Sequence, residues 1–222
     1  MSTAKDHLTI LATLLLSTDN RRRASSAEEP EVANQKRDAQ RAPSLHQSEL
    51  ADLAVLANKH HVIVRSLEVL CTLKAEEQDY NFAMDIIQTI NIERTRIAHA
   101  LSVLEQICNA CEFEGCDVVV IKSLDHWPDL GGDLDLFTTD PPVDVIRVLR
   151  RHFNARIAER SWGDHLANKW NFIIPGLPEL VEFHIGRLGQ TGEQVELAKR
   201  LSARATLVQV GKIGRASCRE RV

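Results

Sequence analysis

Two aspartates interrupt a segment that is otherwise apolar. In "GGDLDLFT" (131–138), Asp133 and Asp135 alternate with leucines and are followed by a phenylalanine. On a β-strand, residues i and i+2 point to the same face, so the two carboxylates would lie side by side while the leucines pack on the other face. Like charges at this separation repel, and burying either one is costly unless it is protonated, paired or bound to a metal ion.

A third acid raises the same question. Glu182 stands in "LVEFH" (180–184), another apolar segment typical of a strand. Magnesium is a hard cation that binds carboxylate oxygens and leaves room for phosphates. Three acids on neighbouring strands could hold two such ions about 3.5–4 Å apart, the arrangement used for in-line displacement at phosphorus. The residues alone leave two interpretations open, a metal site or an ordinary solvated edge strand.

The stretch "VVIKSLDHWPDLGGDLDLF" (119–137) resembles the signature of the DNA polymerase β-like nucleotidyltransferase superfamily. That signature has an apolar strand, a turn of glycine followed by glycine or serine, a gap, and an Asp-x-Asp or Asp-x-Glu in a second apolar strand. With "VEFHI" (181–185), the chain is most similar to an uncharacterised bacterial family of nucleotidyltransferases. The resemblance extends over residues 45–188.

This resemblance implies an α+β fold, with a mixed β-sheet and helices packed on it, preceded by a helical N-terminal region. It implies Asp133 and Asp135 as catalytic metal ligands, and Glu182 as the third carboxylate, either a ligand or the base for the acceptor hydroxyl. The implied reaction moves a nucleoside monophosphate from a nucleoside triphosphate such as ATP to a hydroxyl acceptor, with Mg²⁺ as cofactor at a two-metal site. The acceptor could be a small molecule, a sugar or a protein.

Four further residues are expected to bind substrate: Lys122, Ser123, Gly132 and His184. Lys122 stands where the superfamily has a glycine that permits close approach of the backbone to the triphosphate. The lysine could supply a positive charge to the phosphates, or it could block the close approach of the backbone to them. The Ser123 hydroxyl could contact a phosphate. His184 could orient Glu182, contact the acceptor, or be a structural histidine. Because of Lys122, the alternative is a catalytically degenerate binding or regulatory protein.

Two other features have ordinary interpretations. Cys108, Cys111 and Cys116 could bind zinc in a zinc-dependent regulator. The sequence lacks, however, a second Cys/His pair at the spacing of a zinc finger. Lys169, on the strand before Glu182, could neutralise phosphate, although a solvated lysine is the default.

The composition restricts partners and location. The chain has 222 residues, 44% of them hydrophobic, and a net charge of −4, which gives no strong signal for nucleic-acid binding. Five cysteines at uneven spacings favour a reducing compartment over a disulfide framework. The apolar segment at 8–16 is too short to span a bilayer. We therefore expect a cytoplasmic protein without a membrane partner.

The hydrophobic pattern divides the chain into an N-terminal helix at 1–17, a flexible linker at 18–44, a helical region at 45–114 and a nucleotidyltransferase-like domain at 115–205. In the helical region we expect helices to about residue 61, at 62–77 and at 81–113. In the domain we expect strands at 116–122, 133–139, 155–161, 168–175 and 179–186, and helices at 141–153 and 192–203.

The end of the chain, "IGRASCRERV" (213–222), resembles the translation of a short-read sequencing adapter. We expect this segment to be a non-native tail and the natural protein to continue beyond Lys212, so that the domain is truncated at its C-terminal side.

Overall fold

The computed structural model of the protein describes residues 4–24, 45, 47–207 and 219–220. The chain divides into two compact units, Met1–Arg96 and Ile97–Val222. The first unit is helical, and the second combines helices with a mixed β-sheet. The α+β class expected from the sequence is confirmed, whereas the nucleotidyltransferase fold itself stays a prediction. In the part of the chain that is described, no helix has both the length and the apolar character needed to cross a membrane.

Apolar residues at three- and four-residue intervals form the helices of the first unit. Helix α1 spans Ala4–Ala24, a 3₁₀ turn spans Gln47–Glu49, α2 spans Leu50–Lys59, α3 spans Ile63–Glu76, and α4 spans Tyr80–Phe113 and contains the boundary with the second unit. Helix α1 packs on α2 and α3. The core of this unit includes the fully buried Leu14, Leu53, Leu67, Leu70 and Ile86.

Helices α3 and α4 lie within one residue of their predicted limits, the usual uncertainty of a helix end. Helix α2 ends two residues before its predicted end and begins five residues after the predicted start of the helical region at residue 45. Helix α1 differs, because it continues seven residues beyond the predicted end at residue 17. The added segment is polar and rich in arginine, a good helix former that needs no burial to extend a helix. The remainder of the predicted linker, 25–44, lies outside the described residues.

The second unit is built on a mixed sheet. Its strands are β1 (Val118–Val120), β2 (Asp133–Thr138), β3 (Arg156–Ile157), β4 (Lys169–Ile173), β5 (Leu180–Ile185), β6 (Thr206–Leu207) and β7 (Arg219–Glu220). Their order is β3-β4-β5-β2-β1-β7-β6. Strands β2 and β5 are parallel, and the pairs β1–β2, β4–β5 and β3–β4 are antiparallel. Strand β7 falls in the predicted tail, whose other residues lie outside the described part.

Three helices accompany the sheet: α5 (Pro142–Phe153), α6 (Trp162–Ala167) and α7 (Val195–Ala203). Helices α5 and α7 agree with the prediction, whereas α6 was not expected. Its start is fixed by a capping box, in which Ser161 Oγ accepts a hydrogen bond from Asp164 N at 3.1 Å and the Asp164 carboxylate accepts one from Ser161 N at 2.8 Å. The Ser-x-x-Asp spacing was visible in the sequence, but six residues are too few to show a helical period.

The two central strands have one apolar face and one that changes along its length. On the apolar face, Leu134, Leu136, Val181 and Phe183 are fully buried, as the leucine alternation predicts. On the other face of β2, Asp133 is exposed, Asp135 is half-buried and Phe137 is buried. Phe137 belongs to an apolar cluster with Val119, Ile121, Leu188 and Ala198 of α7. Helix α7 therefore covers this face at the end of β2 that is remote from Asp133.

The apolar face should carry much of the stability of the second unit. We expect Leu136→Ala to lower the free energy of unfolding by about 2–5 kcal/mol, because truncation of a fully buried leucine leaves a cavity. All three tryptophans of the chain belong to the second unit, so fluorescence-monitored urea unfolding reports on that unit. Val143→Ala, at a position 65% exposed on α5, should change stability by less than about 0.5 kcal/mol. Equal effects of the two substitutions would contradict the assigned core.

Candidate metal centre

The parallel pairing of β2 and β5 brings two acids together. The register places Asp135 directly beside Glu182, and the pairing begins where Leu180 N donates a hydrogen bond to the Gly132 carbonyl at 3.2 Å. His184 follows on the same face of β5 and is buried. Its Nε2 lies 2.7 Å from Glu182 Oε1 and 3.2 Å from Asp135 Oδ1. We refer to Asp135, Glu182 and His184 as the acid–histidine cluster.

Two lysines neutralise the acids of this cluster. Lys122 Nζ lies 2.8 Å from Asp135 Oδ1, and Lys169 Nζ lies 2.9 Å from Glu182 Oε1. Lys169 reaches the cluster because the antiparallel register of β4 and β5 places it opposite His184. Each carboxylate side chain is only 14% exposed, so bulk solvent screens these pairs weakly. The default expectation of a solvated Lys169 is therefore wrong.

The pKa values of Glu182 and His184 are shifted in opposite directions, and each shift favours the charged form of its group. Burial opposes ionisation of Glu182, but its hydrogen bonds and charge interactions with His184 and Lys169 outweigh burial and lower its pKa to about 2. Burial likewise opposes the charged form of His184, but hydrogen bonds with Asp135 and Glu182 prevail and raise its pKa. His184 Nδ1 is buried without a hydrogen-bond partner among the described residues. All of the hydrogen bonding found for this ring thus involves Nε2 and the two acids.

Asp135, Glu182 and His184 could hold a metal ion. One ligand atom from each lies within 4.8 Å of the others. Carboxylate oxygens suit magnesium and manganese, and an imidazole widens the choice to zinc, iron and other transition metals. The lysine ammonium groups contact the same carboxylates, so a cation must compete with Lys122 and Lys169. The donor set fits one divalent cation under that condition.

Asp133 lies outside this group. It is exposed at the first position of β2, and the register sets it beside Leu180 rather than beside an acid. A two-metal site built from Asp133, Asp135 and Glu182 therefore stays a prediction. The structure brings His184 to the two central acids instead. Sequence reasoning named His184 for substrate binding, although its i+2 spacing from Glu182 already placed both side chains on one face.

The turn that follows β1 is centred on Lys122 and has a backbone conformation that usually requires glycine. Lys122 has a φ of +63°, in the left-handed region that glycine adopts without strain. Ser123 N donates to the Ile121 carbonyl at 2.7 Å, which closes a γ-turn around Lys122. The buried Ser123 Oγ accepts a hydrogen bond from Asp135 N at 2.7 Å. The turn is thus fixed to the strand of the acids, and the expected phosphate contact of Ser123 stays a prediction.

A cleft of about 320 Å³ adjoins the cluster. Three residues described above line this cleft: Lys122, Lys169 and His184. The other lining residues are Ile121, Asp125, Leu188, Gly189, Gln190, Gln194 and Leu197. Its size is at the lower end of small-molecule sites. Its polar lining combines two ammonium groups, one imidazole and two amide side chains with a single carboxylate, that of Asp125. The cleft can therefore accept a small anionic ligand next to the two acids.

The cysteines lie apart from this chemistry. Cys111 and Cys116 are buried and free, and burial, together with the charges of Cys116 and Asp140, raises the pKa of the Cys111 thiol to about 12. No described cysteine joins a group of three metal-ligating side chains. The zinc alternative gains no support from these residues.

Comparisons of the chain with models of protein families, with curated proteins and with solved structures find no match. The resemblance to the nucleotidyltransferase superfamily thus depends on the motifs at 119–137 and 181–185. What the site can do must be argued from its own residues.

The left-handed conformation of Lys122 can be tested with two substitutions. Lys122→Gly and Lys122→Ala both remove the ion pair with Asp135, but only glycine relieves the backbone. We expect the glycine variant to be more stable by about 1 kcal/mol in tryptophan-monitored urea unfolding. At the exposed Lys199 of α7, glycine should instead be less stable than alanine by about 1 kcal/mol. The same order of stability at both positions would contradict the conformation assigned to Lys122.

The mutual stabilisation of Glu182 and His184 should make metal-free stability depend on pH. The pKa of His184 is raised above its ordinary value of 6.5, so its contribution is complete below about pH 6.5 and is lost as pH rises through the folded value. The pKa of Glu182 falls from 4.5 to about 2, so its contribution is complete above about pH 4.5 and is lost as pH falls towards 2. The pair therefore stabilises the fold most between these two limits.

The measurement is the unfolding free energy of wild type and His184→Gln in EDTA from pH 4 to 9. We expect the difference between the two proteins to be largest between about pH 4.5 and 6.5 and to shrink above that range. The control is His165→Gln, the same change at an exposed position of α6. A difference in unfolding free energy between wild type and His184→Gln that does not vary with pH would contradict the stabilising role of His184. An equally large pH-dependent difference for His165→Gln would contradict it as well.

Proposed function

We propose that the protein is a metal-dependent nucleotidyltransferase. The oxygen of an acceptor hydroxyl attacks the α-phosphorus of a nucleoside triphosphate, the bond from that phosphorus to the oxygen bridging to the β-phosphorus breaks, and pyrophosphate leaves. One observation carries the proposal: Asp135 and Glu182 lie in register beside a cleft lined by two lysines. Negative groups for a cation and positive groups for phosphates thus occupy one site.

The acid–histidine cluster is assigned to the metal. A bound divalent cation would supply positive charge to the phosphate oxygens and polarise the phosphorus. Magnesium is proposed because it pairs carboxylates with phosphates, and His184 as a third ligand would also admit manganese. Asp133, exposed at the start of β2, remains the candidate ligand for a second ion.

Glu182 is better suited to be a ligand than a base. A carboxyl whose pKa is about 2 holds a proton weakly at neutral pH, so it is poorly matched to take one from an acceptor hydroxyl. His184 has a raised pKa, but its Nε2 is engaged by both acids. We therefore assign the acceptor's proton to solvent and the Glu182 carboxylate to cation binding.

The choice of a nucleoside triphosphate is supported by the motif resemblance, and the size of the cleft is compatible with part of such a ligand. The proposed acceptor is a hydroxyl group of a small molecule, a sugar or a protein side chain. We also propose a cytoplasmic location, where nucleoside triphosphates are available.

A second function has its own supporting observation. Both carboxylates are already neutralised by Lys122 and Lys169, and Lys122 occupies the position of the turn glycine. A protein that kept the fold to bind a nucleotide without turnover could retain this arrangement. Binding without turnover is therefore the alternative.

The test is release of pyrophosphate from each of the four nucleoside triphosphates in Mg²⁺, with the full chain and with the chain ending at Lys212, and with added hydroxyl compounds as acceptors. Asp135→Asn should lower the rate by about 100-fold or more, because it removes a charge that holds the metal at the reacting phosphate. Asp52→Asn, the same change at an exposed position of α2, should leave the rate within about twofold.

The outcomes separate the two candidate functions. Magnesium-dependent nucleotide binding that Asp135→Asn abolishes, without pyrophosphate release, would favour the binding protein. Absence of both magnesium-dependent binding and release would contradict both candidates and return the acids to a structural role.

A further inference from the structure

Lys122 and Lys169 each take part in two features of the site. Each ammonium group pairs with one acid of the cluster, and each lysine also lines the adjoining cleft. Apart from His184, they supply all of the basic side chains in that lining. Their present partners are the carboxylates that a divalent cation would bind. A cation and the two lysines therefore compete for the same oxygens.

We propose that Lys122 and Lys169 exchange partners: in the metal-free protein they neutralise Asp135 and Glu182, and when a divalent cation takes these carboxylates they bind a phosphate group in the cleft. Metal and phosphate then bind with positive cooperativity. The identity of the phosphate as part of a nucleotide rests on the proposed function, whereas the exchange itself depends only on the residues of the site.

The first step is electrostatic. Without a metal, two carboxylates face two ammonium groups, so the acids and lysines balance. A divalent cation among Asp135, Glu182 and His184 would leave both ammonium groups close to a like charge and without their acceptors. The lysines must then find another anion or return to solvent.

The second step concerns reach. The Lys122 side chain is 56% exposed and extends from the γ-turn, so its four-carbon stem can turn without moving a strand. The Lys169 side chain is 23% exposed at the start of β4. Because both already line the cleft, small rotations can point both ammonium groups at one ligand there.

The third step concerns the ligand. Lysine binds phosphate as a point charge, and two ammonium groups converging on one cleft match a group with more than one negative charge. Gln190 and Gln194 add neutral donors to the same lining. A phosphate group can also give an oxygen to the cation, so that the cation and the lysines bind the same ligand. Coupling between the two ligands is reciprocal, so each should raise the affinity of the other by the same factor.

The experiment measures Mn²⁺ binding from the loss of its free paramagnetic resonance signal, and inorganic phosphate binding by calorimetry in EDTA or in saturating Mg²⁺. In wild type we expect phosphate to bind about tenfold more tightly with the metal than without it. Lys122→Met and Lys169→Met should each bind Mn²⁺ about tenfold more tightly, because a competing cation is gone, and should lose the gain in phosphate affinity. Lys199→Met, on the exposed part of α7, should match wild type in both assays.

Asp135→Asn gives the reciprocal test. It frees Lys122 without a metal, so in EDTA it should bind phosphate about tenfold more tightly than wild type, while its Mn²⁺ affinity falls. Should either methionine variant fail to fold, Lys122→Arg and Lys169→Arg keep the positive charge and should retain the coupling. Unchanged or weaker Mn²⁺ binding in folded lysine variants, or phosphate affinity that is the same with and without metal, would overturn the proposal.

Failure of the exchange and failure of the proposed function give different results. Coupled metal and phosphate binding without pyrophosphate release would leave the exchange intact and remove the transferase. Pyrophosphate release with uncoupled binding would leave the transferase intact and remove the exchange.

Discussion

The parallel register of β2 and β5 is the constraint on which the site depends. It sets Asp135 beside Glu182, and a slip of either strand by one residue would turn the acid of that strand towards the apolar face of the sheet. The fully buried leucines of β2 and the equally buried Val181 and Phe183 of β5 oppose such a slip, because they would be turned out of the core. The apolar face thus maintains the position of the acids on the other face.

Stability alone does not account for what surrounds the two acids. Paired charges in a partly buried site often contribute little net stability, since the cost of removing them from water offsets their attraction. Here two acids, two lysines and a histidine meet near the middle of a sheet whose opposite face buries Leu134, Leu136, Val181 and Phe183. Apolar side chains of similar volume would satisfy the fold at least as well. The concentration of ionisable groups is therefore better explained by binding than by folding.

The sequence was most informative where one local pattern decides the outcome. Helical periodicity located α2 to α5, and alternation located β2 and β5 with their acids. The grouping of Asp135 with Glu182 came from the motif resemblance and from no local pattern, because the two acids are 47 residues apart and their contact depends on strand register. Lys169 became a partner of Glu182 through the pairing of β4 with β5, which no local pattern encodes. Asp133, predicted as a metal ligand beside Asp135, lies outside the group of Asp135, Glu182 and His184, at the exposed start of its strand, and its role stays a prediction.

Lys122 has a backbone conformation that glycine adopts without strain. A glycine is expected at this position for its backbone freedom, and the lysine adopts the same left-handed conformation. Such a conformation persists only when the surroundings determine it, and here the γ-turn and the hydrogen bond from Asp135 N to Ser123 Oγ do so. The side chain therefore places an ammonium group 2.8 Å from Asp135, an acid of the proposed metal site. A glycine at this position would leave Asp135 to a cation alone, whereas under the proposed exchange the lysine couples metal binding to a second anion that receives its charge.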